Sequence, residues 1–558
     1  MNSMYSLRCV YNIHLKYILK YHVLRYKSNH SCKQEFIVYD QLMQKRRLQS
    51  KRSVLVQVCS ENSCSDLYKY CSEFGGIKNM FHYQLAGTNH FVLTEFEDQT
   101  AVDALLNDSA HIEDSNVIAV RSPFLWFRSS SSKKTKLIMN NDMVQPFKVN
   151  EIMIEPNIKT IQFNKVESLS SQMMLLLESI QLNDIGSRLR FLTAIQIENA
   201  LKGIFPLSKV LPFGSSVNSF GKIGSDIDLV LTNDKTNINK SSRLIYHGKC
   251  MSNNSRTQTQ RHIELLGDLL QLFLPGCSKV KRISQAKVPI VKYSQDFVGV
   301  ECDLTVSNET AVRMSELLYI FGCFDYRVRP LVFTIKMWAQ QVNITNDTPG
   351  RWITNFSLTL LVLFYLQQEN IIPPIQTLVK LAGSNDVHIT DDGVNCTFLR
   401  DITKYSHKQT NSKSLEQLLL GFFEYFAAYD FNTNAISLNF GTVVAKPEYS
   451  ALYIVNPLEV HFNVSKNVSP EELERFRIEL RNAAWVIDSS IHSQNTLQLF
   501  DIFKSIEISK NIKKQNIFNY EYQTNTSNRL VTVKDLFVED EHNKRLNTQL
   551  KNSKERKI

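Results

Sequence analysis

Two aspartates spaced two residues apart inside an apolar segment are the residues best placed for chemistry in this chain of 558 residues. Asp226 and Asp228 alternate with Ile227 and Leu229, a pattern that predicts a buried strand. Because side chains alternate across a strand, both carboxylates should point to the same side. Burying two like charges together is unfavourable unless a cation neutralises them. The spacing therefore predicts a site for a divalent metal ion.

A third carboxylate, Asp303, lies in a second short apolar segment, residues 298–306. Three carboxylates on neighbouring strands can hold two oxygen-preferring ions about 3.5–4 Å apart, which supports in-line displacement at phosphorus. Upstream, Gly214-Ser215 is a small-residue turn that we expect to open a helix. The first amides and the hydroxyl of that helix would face the same pocket and suit a triphosphate. A turn followed by unrelated strand-end aspartates is the alternative interpretation.

This order of residues resembles the Gly-Ser…Asp-x-Asp…Asp signature of the DNA polymerase β-like nucleotidyltransferase superfamily. The resemblance implies a catalytic palm that combines a mixed sheet with helices. It also implies that Asp226, Asp228 and Asp303 are the catalytic residues and the ligands of Mg²⁺ or Mn²⁺. Gly214 and Ser215 would then bind the triphosphate of the nucleotide.

A later segment, residues 329–339, resembles a helix of the noncanonical poly(A) and poly(U) polymerases in this superfamily. The resemblance implies that Lys336 contacts the nucleotide's phosphates, where its charge would offset that of the leaving pyrophosphate. Without that context, Lys336 and Trp338 would be a surface lysine beside a packed aromatic.

The segment 353–367 resembles the helix in which family members place a phosphate-binding serine and a base-stacking tyrosine. Here Phe356 takes the tyrosine position and Asn355 the serine position. Phenylalanine keeps the stacking surface but lacks the hydroxyl, and the asparagine amide can still donate a hydrogen bond. Thr354, Asn355 and Ser357 all remain candidates for the phosphate contact.

Residues 415–430 resemble the poly(A)-polymerase-associated helix, and residues 454–464 resemble the nucleotide-recognition loop, which implies nucleotide contacts for Asn456 and Asn463. In uridine-adding relatives a histidine precedes the family asparagine of this loop. Here Phe462 stands at that position, with His461 one residue earlier. This favours ATP as the substrate, although a one-residue shift in the loop would restore the histidine and leave UTP open.

Residues 50–125 show the order βαββαβ, which resembles the RNA-recognition motif. Predicted strands and helices cover 53–58, 65–74, 81–84, 91–96, 100–106 and 117–120. Of the usual base-stacking positions, Phe91 is aromatic, Leu93 is not, and the first strand offers no aromatic. We therefore expect this domain to serve packing or self-association rather than RNA binding.

The first acidic residue is Glu35, and the preceding residues are basic and amphipathic, as in a mitochondrial presequence. A basic helical extension of the first domain is the alternative. The ten cysteines form no C-x-x-C pair, which argues against a zinc module and for a reducing compartment. The net charge of +10 is compatible with a polyanionic partner.

The sequence thus predicts an α+β multidomain protein without membrane insertion. The predicted units are a presequence (1–45), the RRM-like domain (50–125), a linker or arm (126–164), the palm (165–310), a helical poly(A)-polymerase-associated domain (311–500) and a charged C-terminal tail (501–558). The resemblance to mitochondrial members of the family implies a homodimeric, template-independent RNA adenylyltransferase of the mitochondrial matrix, acting on ATP and the RNA 3′ end. The alternatives are a uridylyltransferase, a nuclear or cytoplasmic poly(A) polymerase and an inactive RNA-binding scaffold.

Overall fold

The computed structural model describes residues 36–504, except 86–87, 112–119, 129–160, 162, 164–165, 167, 234–253, 347, 349, 406–410 and 494–496. The predicted presequence up to residue 35 and the predicted tail from residue 505 lie outside the described residues. No helix in the described part of the chain is long and apolar enough to cross a bilayer. The fold is α+β, as the sequence predicts.

The N-terminal domain is a four-stranded sheet in the order β2-β3-β1-β4. Its elements are β1 (Ser53–Val58), α2 (Cys64–Ser72), β2 (Ile77–Leu85), β3 (Asn89–Phe96), α3 (Gln99–Asp108) and β4 (Phe124–Trp126). The first five elements match the predicted order. The predicted last strand falls mostly on residues outside the described part, and Val120 is not in a strand. The fourth strand lies later instead and runs parallel to β1, which pairs Leu55 with Phe124.

Helix α1 (Tyr39–Lys51) precedes this domain and belongs to the folded body. Tyr39 is buried in the largest apolar core, and ion pairs join Arg46 to Asp184 and Arg47 to Glu198. The predicted presequence boundary at residue 45 therefore differs from the structure, because α1 is anchored from its first residue.

One face of the N-terminal sheet packs against the palm. Phe91 is 1% exposed, and its ring lies 5.4 Å from that of Tyr83 and 5.5 Å from that of Phe297. The Tyr83 hydroxyl donates a 2.6 Å hydrogen bond to the Phe297 carbonyl. On the same sheet, the buried Glu95 carboxylate accepts from Arg188 at 2.7 Å. The face that an RNA-recognition motif would offer to bases is thus covered within this chain.

The palm contains a five-stranded sheet in the order β5-β6-β9-β8-β7, in which β6 and β9 are parallel and the other pairs antiparallel. Its elements are α4 (Leu169–Ile180), α5 (Asp184–Leu201), β5 (Ser208–Phe213), β6 (Ile227–Asn233), α6 (Ser255–Phe273), β7 (Cys277–Ile283), β8 (Ile290–Gln295) and β9 (Val300–Val306). Helix α6 begins at Ser255. The Asn254 side chain caps that helix by accepting from the amides of Arg256 and Thr257.

The remaining chain is mainly helical: α7 (Glu309–Phe324), α8 (Val328–Gln341), α9 (Asn355–Gln368), α10 (Ile375–Lys380), α11 (Leu415–Ala428), α12 (Pro470–Ser493) and α13 (Leu499–Ile502). It also contains a hairpin, β10 (Asn434–Ser437) with β11 (Thr442–Ala445), which the sequence analysis did not predict. Ser414 begins α11 with a capping box to Gln417. Trp338 is fully buried, with its ring 4.9 Å from that of Phe423, so it serves the core.

Candidate active site

The parallel pairing of β6 with β9 brings two of the three predicted aspartates together. Asp228 and Asp303 are direct partners in that register, so their side chains share one face of the sheet. On the other flank, Phe213 at the end of β5 pairs with Asp228. The Gly214-Ser215 turn follows Phe213 at once, and it therefore lies beside the Asp228 carboxylate.

Asp226 precedes the strand by one residue and is exposed. Ser225, the residue before Asp226, is held by the buried side chain of Arg190. The Arg190 guanidinium donates hydrogen bonds to the Ser225 carbonyl and, at 3.1 Å, to the Ser225 hydroxyl. Burial lowers the pKa of Arg190 to about 10, and the charges of Asp226 and Asp228 oppose that shift. Among the residues that the structure describes, no three acidic, histidine or cysteine side chains lie close enough together to hold a metal ion.

The three aspartates nevertheless interact electrostatically. Burial raises the pKa of Asp228 to about 7, and the charges of Asp303 and Asp226 add to the effect. Burial also raises the pKa of Asp303. The Lys292 ammonium, 3.7 Å from the Asp303 Oδ1, opposes that increase. That buried Oδ1 accepts no hydrogen bond in the described structure. Crowded carboxylate oxygens with unused acceptor capacity are a donor set that suits a hard divalent cation.

The Gly-Ser turn is tighter than the predicted helix. Gly214–Ser216 form a single 3₁₀ turn, and the chain then folds back through Ser219, whose φ is 70°. Gly214 has a φ of 62°, and a Cβ there would overlap the Asp228 carboxylate. Its amide donates a 2.7 Å hydrogen bond to the Ser315 hydroxyl on α7.

Two lysines lie where the loop after this turn meets α8: Lys222 on the loop and Lys336 on the helix. The Lys336 ammonium is buried and donates a 3.2 Å hydrogen bond to the Phe220 carbonyl. Lys222 donates at 3.1 Å to the Gln340 side chain, one turn along α8. Burial lowers the pKa of Lys336 to about 7, and the charge of Lys222 contributes. The sequence analysis found Lys336 and missed Lys222, which is four residues before Asp226. No carboxylate within ion-pair distance of either amine is found in the described part of the chain.

At the start of α9, the three candidates for a phosphate contact differ in availability. Thr354 caps the helix by accepting from the Ser357 amide at 3.1 Å. The buried Ser357 hydroxyl contacts those of Thr354 at 3.0 Å and Ser465 at 3.1 Å. Asn355 is exposed, and Phe356 is half-buried in the same turn. The exposed side chain of Asn355 is therefore the one not engaged in the cap.

Residues 169–323 match the family model of the central palm domain of mitochondrial-like poly(A) RNA polymerase, and residues 38–110 match the RL domain model. The mitochondrial poly(A) RNA polymerase of Drosophila melanogaster is 42% identical over 525 residues, which cover 90% of this chain and 84% of the relative. That of Homo sapiens is 37% identical over 462 residues, covering 80% and 77%. The chain belongs to the mitochondrial poly(A) RNA polymerase family.

Solved structures agree with this family assignment. The crystal structure of mtPAP in complex with ATPγS is 35% identical, covers 84% of this chain and all of its own, and gives a TM-score of 0.76. The complex of mtPAP with UTP has the same identity and coverage, with a TM-score of 0.74. The loop at residues 454–464, predicted to recognise the nucleotide, lies in the described part of the chain.

Within that loop, the two predicted nucleotide-binding asparagines hold the loop's own backbone. The Asn456 side chain accepts from the Glu459 amide at 3.1 Å. Asn463 accepts from the Ile454 amide at 3.1 Å and donates to the Leu452 carbonyl at 2.9 Å. Both side chains therefore determine the shape of the loop.

Phe462 projects from the same loop and is 44% exposed. The Lys287 ammonium lies 3.2 Å from the centre of its ring, a cation–π contact. Lys287 is on the connection between β7 and β8, so the contact joins the palm to the recognition loop. The sequence analysis missed Lys287, because nothing local marks a contact across 175 residues.

Proposed function

We propose that this protein is a template-independent RNA adenylyltransferase, which adds AMP from ATP to RNA 3′ ends and releases pyrophosphate. The observation that carries the proposal is the pairing of Asp228 with Asp303 beside the Gly214-Ser215 turn. Carboxylates on one flank and a phosphate-binding turn on the other suit attack of a hydroxyl on a bound nucleotide. Membership of the poly(A) polymerase family supports the choice of RNA and ATP.

Asp226 and Asp228 would hold a divalent metal, and Asp303 would complete its ligand set on the side of the RNA. When bound, the metal supplies Lewis acidity, which lowers the pKa of the 3′-hydroxyl and neutralises charge on the reacting phosphate. We propose Mg²⁺ or Mn²⁺, because carboxylates are hard oxygen ligands. Asp303 would lie beside the attacking hydroxyl, where its carboxylate would be placed to accept the proton.

The triphosphate would lie on the opposite flank. The Gly214-Ser215 turn, Lys336 and Lys222 would surround its phosphates and stabilise the charge that develops on pyrophosphate. Burial disfavours the protonated form of Lys336, and a bound triphosphate would favour that form again through its negative charge. Asn355 would add a donor at the start of α9.

The base would stack on Phe356, because an aromatic ring gives a sequence-tolerant stacking surface. Phe462 would face the base edge from the recognition loop, and Asn456 and Asn463 would act by holding that loop. A phenyl ring offers no hydrogen bond to a uracil edge, which favours adenine. Uridine addition is the second candidate, because a one-residue shift in the loop would place His461 at the position that Phe462 occupies.

Mitochondrial location follows from the family, and we propose the matrix as the compartment and RNA as the polymer substrate. We further propose a homodimer, in which the RRM-like domain takes part. Because one face of its sheet is buried against the palm, the edges and helices of that domain would supply the contact.

The decisive test is nucleotide incorporation by the purified protein. An RNA oligonucleotide is incubated with each labelled NTP separately, once with Mg²⁺ and once with Mn²⁺. We expect extension with ATP to exceed that with UTP, and no extension when EDTA is present. A preference for UTP would replace adenylyl by uridylyl transfer, and extension in EDTA would exclude the metal-dependent mechanism.

A further inference from the structure

The chemistry of nucleotidyl transfer fixes the side from which RNA must enter the site. The attacking and leaving oxygens lie roughly in line through the reacting phosphorus. The groups proposed for the triphosphate, namely Gly214, Ser215, Lys222 and Lys336, lie on the β5 flank of Asp228 and against α8. The 3′-hydroxyl should therefore arrive from the β9 flank, where β8 and β7 provide a route for the upstream RNA.

The strand register places a row of lysines on that route. Asp303 on β9 pairs with Lys292 on β8, and Lys292 pairs with Lys281 on β7, the edge strand. Directly paired residues share a sheet face. Neighbouring strands lie about 5 Å apart, so Lys281 is roughly 10 Å from the catalytic carboxylate, within reach of a phosphate close to the 3′ end.

The basic residues of β7 differ in their surroundings. Arg282 faces α6, where its guanidinium contacts the Asp268 carboxylate. Lys281 is exposed on the opposite face, where it pairs with Lys292. Lys279 is also exposed and lies in the bulge between Ser278 and Lys281, with a φ of 52°. No ion pair or hydrogen bond of either lysine side chain is found among the described residues. Lys292, nearer the site, is held 2.6 Å from Glu301. The pKa of Glu301 is lowered chiefly by Lys292 and further by the charges of Lys279 and Lys281, so both exposed lysines act on that carboxylate without forming an ion pair with it.

We propose that Lys279, Lys281 and Lys292 form a track that binds the phosphodiester backbone of the RNA immediately upstream of its 3′-terminal nucleotide. The inference rests on the proposed function and adds the path of its polymer substrate. Lysine ammonium groups bind phosphates without reading bases. The lysine track would therefore align the 3′ end for attack while accepting any sequence, as template-independent extension requires.

The test is RNA binding by full-length protein in which Lys279→Gln and Lys281→Gln are combined. The probe is a fluorescein-labelled single-stranded RNA, with affinity measured by anisotropy across a salt series and without ATP. Each lost contact should reduce the slope of the logarithm of affinity against the logarithm of salt concentration by about 0.7. At 0.1 M salt this corresponds to roughly fivefold weaker affinity for each contact. Lys380→Gln with Lys404→Gln, two exposed lysines of the helical domain, is the matched control and should bind as wild type does.

A second probe locates the contact on the RNA. In this probe the two linkages before the 3′ nucleotide are uncharged methylphosphonates. The affinity of wild type for this probe should fall as much as the affinity for ordinary RNA falls in the lysine variant. The lysine variant should bind the probe only slightly more weakly than it binds ordinary RNA. Unchanged affinity in the variant, or fully additive losses, would overturn the lysine track. Failure of wild type to add AMP would instead overturn the proposed function, and thermal unfolding of each protein verifies that it is folded.

Discussion

At the scale of single residues, the crowding of Asp228 and Asp303 has consequences for stability as well as for activity. Replacing Asp228 by Asn removes a charge that burial and two neighbouring carboxylates disfavour. We expect Asp228→Asn to abolish AMP addition, to leave the metal-free protein at least as stable as wild type, and to lose the stabilisation that Mg²⁺ or Mn²⁺ gives wild type. Thermal unfolding with and without the ion measures the last two effects.

The matched control for that experiment is Asp268→Asn, a carboxylate on α6 that pairs with Arg282 on the other face of the sheet. It should keep both activity and the metal-dependent shift in Tm. If Asp228→Asn retained the same shift as wild type, Asp228 would not be a metal ligand.

Lys336 gives a prediction about pH. Its folded pKa of about 7 lies below the ordinary value of 10.5, so the unfolded chain binds more protons between these values. The destabilisation that this group causes therefore decreases as pH rises from about 7 to 10.5. Triphosphate binding favours the charged amine. At pH 8 ATP binding should therefore take up a proton, and its affinity should weaken as pH rises.

Calorimetry in buffers of different ionisation enthalpy measures this uptake directly. Lys336→Gln should bind ATP more weakly and lose the uptake. Equal uptake in the variant would mean that a different group titrates when ATP binds.

The carboxylates could be predicted from sequence because their spacing is local and strand periodicity fixes their direction. Lys222, Arg190 and Lys287 could not, because each acts through a contact with a residue distant in the chain. Asn456 and Asn463 were found by resemblance, but their bonds to the loop backbone depend on the folded shape of that loop.

At the scale of elements, most helices and strands follow from periodicity, whereas two departures reflect tertiary constraints. The Gly214–Ser216 segment is a single 3₁₀ turn in which Gly214 lies directly against the carboxylate of Asp228, a residue on the neighbouring strand. Strand β4 runs parallel to β1, and its position depends on residues buried against the palm, such as Phe124. Neither constraint is visible in a local pattern.

The recognition loop and the β7–β8 connection together predict a change in base selectivity. Phe462→His should increase UTP use relative to ATP, because an imidazole can hydrogen-bond a base edge, by about 1–3 kcal/mol at most. Lys287→Ala should lower the preference for ATP by less, since an exposed cation–π contact contributes about 0.5–1 kcal/mol.

Ratios of kcat/KM for ATP and UTP in both single variants and the double variant measure the coupling. If Lys287 acts by holding Phe462, its removal should have little further effect once Phe462 is His. Independent, additive effects would contradict that role.

At the scale of the whole molecule, the RRM-like domain is part of the palm's core rather than a separate RNA platform. Phe91→Ala should lower the free energy of unfolding by about 3–5 kcal/mol, because the ring is buried between Tyr83 and Phe297. RNA affinity of the folded variant should stay as in wild type. Denaturant unfolding and RNA anisotropy provide the two measurements, and a large loss of RNA affinity with unchanged stability would show that the ring contacts RNA.

The central claim is that the Asp228–Asp303 pair, joined by parallel strands β6 and β9, is the centre at which AMP is added to RNA. The most direct measurement is single-turnover extension of an RNA oligonucleotide with ATP by wild type and by Asp303→Asn. We predict extension by wild type and a rate lower by about 10²–10⁴-fold in the folded variant, because the carboxylate beside the attacking hydroxyl is lost. Extension by Asp303→Asn within tenfold of the wild-type rate would contradict the account.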